Sequence, residues 1–220
     1  VCPSQFAETA VLYGIAQGGT VGASATVCAG SNGLLQLTGQ IGEVVRWERS
    51  TDCISYTPIV NQTPTFTYIN VLQTTCFRAV VRNDATCPEV FSSAATITVT
   101  QREIASSSPS VLSTCTNDIN LLGNNPAGYT GSWAYVSGAL PSVVLTNLAG
   151  GQATVTGLTN PGNYIFRYTL TNPTCGTTTT DVVVKRSPAV SVANAGLDRT
   201  ICSSNTTLTG NRPAIGTGTW

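Results

Sequence analysis

Apolar and polar residues alternate along short stretches of this chain with a period of two. In Tyr164-Ile-Phe-Arg-Tyr-Thr-Leu170, the residues Tyr164, Phe166, Tyr168 and Leu170 share one face. In Thr75-Cys-Phe-Arg-Ala-Val-Val81, Phe77, Ala79 and Val81 do the same. Each stretch puts an arginine, Arg167 or Arg78, on the opposite face. A period of two is that of a β-strand, and this division is that of a sheet with one dry and one wet side. Stretches of this kind, rich in Thr, Val, Ser and Ile, recur about every ten residues between turns of Gly, Pro, Asn and Thr. They predict strands near 23–28, 33–38, 43–49, 64–69, 75–82 and 94–101. A second series is predicted near 109–114, 119–122, 130–136, 142–146, 151–156, 163–170 and 178–185. No segment of helix length carries a 3.6-residue apolar period, so the chain reads as all-β.

The eight cysteines show that the two series are copies of one unit. Cys28, Cys115 and Cys202 are spaced by 87 residues, and Cys2, Cys87 and Cys175 by 85 and 88. Tryptophan follows the same rhythm. Cys115-x17-Trp133 and Cys202-x17-Trp220 have identical spacing, and Cys28 precedes Trp47 by 19. Gly123-Asn-Asn-Pro-Ala-Gly-Tyr-Thr-Gly-Ser-Trp133 parallels Gly210-Asn-Arg-Pro-Ala-Ile-Gly-Thr-Gly-Thr-Trp220, and Cys2-Pro parallels Cys87-Pro. A fixed period of this length marks tandem repeats. The boundaries that follow are 1–17 for the last strand of a preceding repeat, 18–102 and 103–187 for two full repeats, and 188–220 for the opening strands of a following one. On this reading the chain is mature or excised from something longer.

Seven or so short strands, a tryptophan after the first cysteine and a second cysteine late in the repeat predict immunoglobulin-like β-sandwich domains in tandem, each with its own disulfide. Cys87 and Cys175 fall after the Phe-Arg strand, in the turn toward the last strand. The expected pairs are therefore Cys28–Cys87 and Cys115–Cys175, tying the first strands to the final hairpin. Closing a loop of about 60 residues contributes on the order of 4 kcal/mol in the chain-entropy account. Cys53 and Cys76 stand off the ladder and are expected to form a second, local bond in the first repeat. The swapped arrangement, Cys28–Cys76 with Cys53–Cys87, is the alternative. Cys2 and Cys202 have no partner in their own partial repeats. Trp47, Trp133, Phe77, Phe166 and Tyr168 are the expected core anchors.

Composition removes most chemistry. Charged residues make up 9% of the 220, the net charge is zero and there is one lysine, Lys185. No basic patch is present to attract nucleic acid or an anionic membrane surface, and no apolar run is long enough to span a bilayer. The chain has no histidine, so the usual general base of nucleophilic catalysis and the commonest zinc ligand are missing. The ten acids are scattered, and Glu43, Glu48 and Asp52 fall on a strand and a turn. Asp118 and Asp198 lie where junction calcium sites occur, but single turn aspartates more commonly cap backbone N–H groups. Gly30–Gly33 and Gly128–Gly131 lack a phosphate-loop signature and read as turns. The sequence points to no enzyme, no cofactor and no metal. Repeat-regular cysteines point to an oxidising compartment.

Gly18-Gly-Thr-Val-Gly-Ala-Ser-Ala-Thr-Val-Cys-Ala-Gly-Ser31, Val44-Val-Arg-Trp-Glu-Arg-Ser-Thr-Asp52 and Gln73-Thr-Thr-Cys-Phe-Arg-Ala-Val-Val81 resemble one repeat type of giant Bacteroidota cell-surface adhesins. Ala193-Asn-Ala-Gly-Leu-Asp-Arg-Thr-Ile-Cys202 and Gly157-Leu-Thr-Asn-Pro-Gly-Asn-Tyr-Ile-Phe-Arg-Tyr168 resemble the PKD-like or Ig-like repeats of the same proteins. The nearest analogue is the large gliding-motility adhesin type. The resemblance implies export by type IX secretion, display on the outer cell surface and a filamentous stalk. It implies neighbouring repeats of the same long chain, or copies in a fibre, as partners, together with surface glycans or proteins. Two other functions are consistent with the sequence: a glycan- or protein-binding module, and a fibre subunit completed by strand addition.

Overall fold

A computed structural model describes residues 14–22, 24–138 and 142–219. The chain divides into two compact units, Val1–Arg102 and Glu103–Trp220. Both are built from strands, as the period-two pattern requires.

The first unit contains β1 (Thr20–Val21), β2 (Ala25–Cys28), β3 (Ser31–Thr38), β4 (Glu43–Ser50), β5 (Thr57–Ile59), β6 (Thr65–Val71), β7 (Thr75–Arg82), β8 (Val90–Phe91) and β9 (Ala95–Thr100). One sheet has the order β1-β3-β6 and the other β2-β9-β7-β4-β5, with β8 paired to β7. The first edge is shared: β1 pairs antiparallel with β3, and β2 crosses over to pair parallel with β9. This split first strand and the antiparallel set behind it form an immunoglobulin-like sandwich.

The second unit contains β10 (Val111–Thr114), β11 (Ile119–Leu122), β12 (Thr130–Gly138), β13 (Val144–Asn147), β14 (Gln152–Thr156), β15 (Gly162–Asn172) and β16 (Gly176–Arg186). Its sheets are β10-β16-β15-β12 and β11-β14-β13. The central strands match those of the first unit, and the units differ at their edges: β1 and β8 have no counterpart strand in the second. Where the first unit adds β5 beside the tryptophan strand, the second adds β13 to the opposite sheet.

Each core lies between its two sheets. Trp47, Phe77, Ala79, Val81, Leu35, Leu37 and Ile97 fill the first, where the Trp47 and Phe66 rings stack 5.5 Å apart. Trp133, Tyr164, Phe166, Tyr168, Leu170, Val155 and Val182 fill the second. The alternating face of 164–170 is fully buried, and Arg167 projects from the other side to Asp181 on β16. Both tryptophan indoles donate to a backbone carbonyl at 2.9 Å, Trp47 to Thr63 and Trp133 to Gly151. A buried N–H thereby keeps a partner.

Two sequence expectations meet a different outcome. Residues 187–219 form no strand, although opening strands of a further repeat are expected there. A lone pair of strands has too little apolar surface to bury and is marginal without further strands to pack on. The Gly-rich stretches are turns only in part. Gly30 and Gly128 sit at positive φ in turns, but Gly33 and Gly131 lie inside β3 and β12. The expected strand in 1–17 and the residues Cys2 and Trp220 lie outside the described residues, apart from the bridge of Gln17 to Ile41.

Candidate functional site

The features that combine sequence signal with built geometry are the strand pair joining the two ends of each unit and the cysteines beside it. In the first unit, Ala25, Thr26, Val27 and Cys28 lie opposite Ile97, Thr98, Val99 and Thr100 in parallel register. In the second, Val111, Leu112, Ser113 and Thr114 lie opposite Val183, Val184, Lys185 and Arg186, again in parallel. The Ala29 N–H to Thr100 O bond extends the first ladder, and the Ser187 N–H to Thr114 O bond extends the second, each at 2.9 Å. Parallel pairing of the first and last strands fixes how force enters. Tension on the two chain ends pulls the strands past one another, so the bonds of a ladder carry load together. An antiparallel terminal pair would open one bond at a time.

The same topology fixes where each ladder cysteine lies. In the second unit Glu103 and Ala105 bond the Thr178 hydroxyl near the start of β16, so the chain comes in at that end. Cys175 is there too, in the β15–β16 turn, its N–H donated to Asn172 Oδ1 at 2.9 Å. Cys115 follows Thr114, which is level with Arg186 at the other end of β16. Ten residue steps at ~3.3 Å separate the two cysteines by roughly 33 Å, whereas a disulfide needs Cα atoms within about 7 Å. In the first unit Cys28 is level with Thr100, beyond the pairing of Ile97 with Thr75. Cys87 lies past Arg82, at the opposite end of β7, roughly 24 Å of strand away. The expected Cys28–Cys87 and Cys115–Cys175 bonds are therefore not formed: Cys87 and Cys115 are free thiols, as is the exposed Cys202. Cys28 and Cys175 are each disulfide-bonded. The expectation failed because it placed first strand and final turn at one end, and parallel pairing of the terminal strands puts them at opposite ends. Cys53 and Cys76 do bond, with Cα atoms 5.4 Å apart, so the swapped alternative is not formed either.

In the loop that carries Cys53 lies a polar network built on Asp52. Asp52 Oδ1 accepts from the Ser50 hydroxyl at 2.6 Å and from the N–H groups of Ile54 and Ser55 at 2.9 and 2.8 Å. These bonds, the Ser50 hydroxyl first, hold the Asp52 carboxyl well below its ordinary 3.8. A depressed carboxyl contributes stability above its unfolded value and loses it as pH falls toward its folded value. The 51–56 loop is therefore expected to keep constant amide protection above about pH 5 and to lose it progressively toward pH 2. Hydrogen exchange at Ile54 and Ser55, corrected for intrinsic rate, reads this out, and Asp52→Asn should abolish the dependence. Next to the loop, Glu48 accepts from Arg46 and Arg78 at 2.9 and 2.8 Å. The Arg78 guanidinium lies 3.8 Å from the Tyr56 ring centre and 3.9 Å from that of Phe91. This cluster missed detection in the sequence because its members come from four separate segments.

Between the edges of β5 and β6 a groove of about 920 Å³ is lined by Arg49, Ile59, Phe66, Tyr68, Ile69 and Leu72, among others. No group of three or more Cys, Asp or Glu among the described residues is placed to hold a metal ion, and Asp118 and Asp198 are exposed and apart from any such group. Among the described residues no helix is long and apolar enough to cross a membrane.

The chain is similar at low identity to several solved structures. Immunoglobulin domains 1–5 of Sidekick-1 align at 14% identity over 79% of this chain and 40% of theirs, with a TM-score of 0.45. The insect immune protein hemolin aligns at 10% over 82% of this chain and 49% of its own, with a TM-score of 0.47. The fibronectin(III)-like modules of Clostridium thermocellum CbhA align at 11% with a TM-score of 0.29. The chain thus spans less than half of the first two, and the fold assignment rests on its own strand order. No curated protein matches the sequence. Residues 17–101, within the first unit, match the family model described as "Domain of unknown function (DUF8696)".

Proposed function

We propose that this chain is a load-bearing stalk segment of a long, exported cell-surface adhesin, of the Bacteroidota type that its repeats resemble, serving surface attachment or gliding. The observation that carries the reading is the parallel pairing of first and last strands in both units. It is the arrangement a domain needs when tension arrives through its two chain ends. Adhesion- or binding-type sandwiches, disulfides and sparse charge agree with a secreted or surface protein. Neighbouring repeats are its first partners, and the adhesive contact itself belongs elsewhere along such a string.

Single-molecule force spectroscopy on the 220-residue chain tests this with a matched pair of substitutions. Thr114 lies on the terminal strand β10, and Thr146 lies on the edge strand β13, which carries no chain end. Proline removes a ladder donor at either site. Thr114→Pro should lower the rupture force of the second unit by roughly half, since few bonds share the load. Thr146→Pro should leave it nearly unchanged while both variants lose equilibrium stability. Equal force losses would remove the support for a mechanical role.

A further inference from the structure

In each unit the last strand ends against a corner built in the same way. In the first, Gly30, in the turn between β2 and β3, donates its N–H to Val71 O at the end of β6 at 2.8 Å. The Gln101 side chain, one residue past β9, donates to the carbonyl of the next residue, Leu72, at 2.9 Å. In the second, Leu158, just past β14, donates its N–H to Asn117 O, in the turn between β10 and β11, at 2.9 Å. The Arg186 side chain, at the end of β16, donates to Leu158 O at 3.2 Å and to Asn117 Oδ1 at 3.3 Å. In its own unit, β9 or β16 belongs to one sheet, and β6 or β14 to the other. Each side chain therefore crosses from the sheet at whose end the chain leaves to the sheet opposite.

Packing does not account for either contact. Gln101 is exposed, and water would serve its amide equally. Arg186 is 9% exposed, its Nη1 is buried with no hydrogen-bond partner, and no carboxylate among the described residues forms an ion pair with it. Burying a cation without an acid costs free energy that an apolar side chain of similar length would avoid. Two different side chains nonetheless reach the same kind of corner in two units.

We propose that Gln101 and Arg186 are latches. Each holds the end of the last strand to the opposite sheet, so that the strand does not fray from its end and the corner opens only as a whole. A terminal strand held by its ladder alone loses its end bonds one after another, at little free-energy cost. The end bonds that the latches protect are Ala29 N–H to Thr100 O and Ser187 N–H to Thr114 O, each beside a latch residue. Arg186 donates from a charged group and Gln101 from a neutral one, so the second latch is the stronger. The inference is independent of the stalk reading, since it concerns opening without load.

Hydrogen exchange on the 220-residue chain tests it with no tension applied. Arg186→Met keeps the apolar stem and removes the donors. It should speed exchange at Leu158 and Ser187 by roughly tenfold or more, without accelerating amides at the centre of β15. Lys185→Met, the same replacement at the exposed neighbour, should leave Leu158 and Ser187 unchanged. Gln101→Met, at an exposed site, should speed Ala29 and Gly30 by roughly threefold to tenfold, and it decides the matter if Arg186→Met does not fold. Unchanged exchange at the corner amides of either unit overturns the proposal. So does an equal acceleration of β15, or an acceleration of Leu158 and Ser187 by Lys185→Met.

Discussion

Gly131→Ala is expected to destabilise the second unit by about 3 kcal/mol, at the upper end of overpacking costs. A Cβ on Gly131 would fall 1.9 Å from the Tyr168 hydroxyl oxygen. An end-on clash is often relieved by a small ring movement, but here the ring has nowhere to go. A Cβ built on Gly123 would lie 2.3 Å from atoms of the same ring, and one on Gly151 2.7 Å from the same hydroxyl. Three glycines from three segments thus form the slot that Tyr168 fills. Its far face meets Trp133, with ring centres 4.9 Å apart, and its hydroxyl donates to the Asn124 carbonyl. Burial pushes the Tyr168 phenol above its ordinary pKa, so it stays a donor throughout the neutral range. Urea unfolding measures the cost. In a Tyr168→Leu background, where no ring reaches Gly131, the alanine should cost less than about 1 kcal/mol. Additive losses would show that the slot is not what constrains Gly131.

Trp47→Ala should cost about 3–5 kcal/mol, a large part of the net stability of a small domain. Trp47 is fully buried, stacks on Phe66 and satisfies its indole N–H at Thr63. Its removal deletes the largest ring, at one end of the aromatic row Trp47–Phe66–Phe77–Tyr68, and leaves the Thr63 carbonyl without its donor. The cavity cannot collapse readily, because β4 is held between β5 and β7. Hydrogen exchange at β4 and β7 amides is expected to speed up by roughly a hundredfold or more, following directly from that loss. Trp47→Phe should recover part of the protection. A loss below tenfold for Trp47→Ala would mean that the sheets are held by their ladders and not by this ring.

The strands were legible because alternation is a local signal. The predicted 75–82 is β7 itself, and 163–170 sits inside β15. Short pieces such as β1, β5 and β8 carry too few residues for a period to show, so nothing marked them. The tryptophans and the Phe-Arg strands pointed to the two cores for the same local reason. The cysteine pairing was not local. It depended on whether first and last strands run the same way, and the sequence spacing is indifferent to that. The parallel pairing of β10 with β16 moved Cys115 the length of the domain away from Cys175. Glycine roles were half visible. Gly30 and Gly128 announce turns, but the need for Gly131 comes from Tyr168, 37 residues onward, and no short pattern links them.

The edge strand β12 runs for nine residues, Thr130–Gly138, with neither charge nor proline to discourage a neighbouring chain from adding to it. A long edge is an invitation to sheet-to-sheet aggregation, and at Trp133 the Asn147 side chain already occupies it, accepting from the backbone N–H at 2.6 Å and donating to the carbonyl at 3.0 Å. The register of β12 breaks between Tyr135 and Ser137, where Val136 is the extra residue. A bulge bends and twists the strand locally, so a second copy cannot lie flat along it for its full length. One surplus valine thereby makes this edge a poor template for a second copy without spending a charged residue on the task.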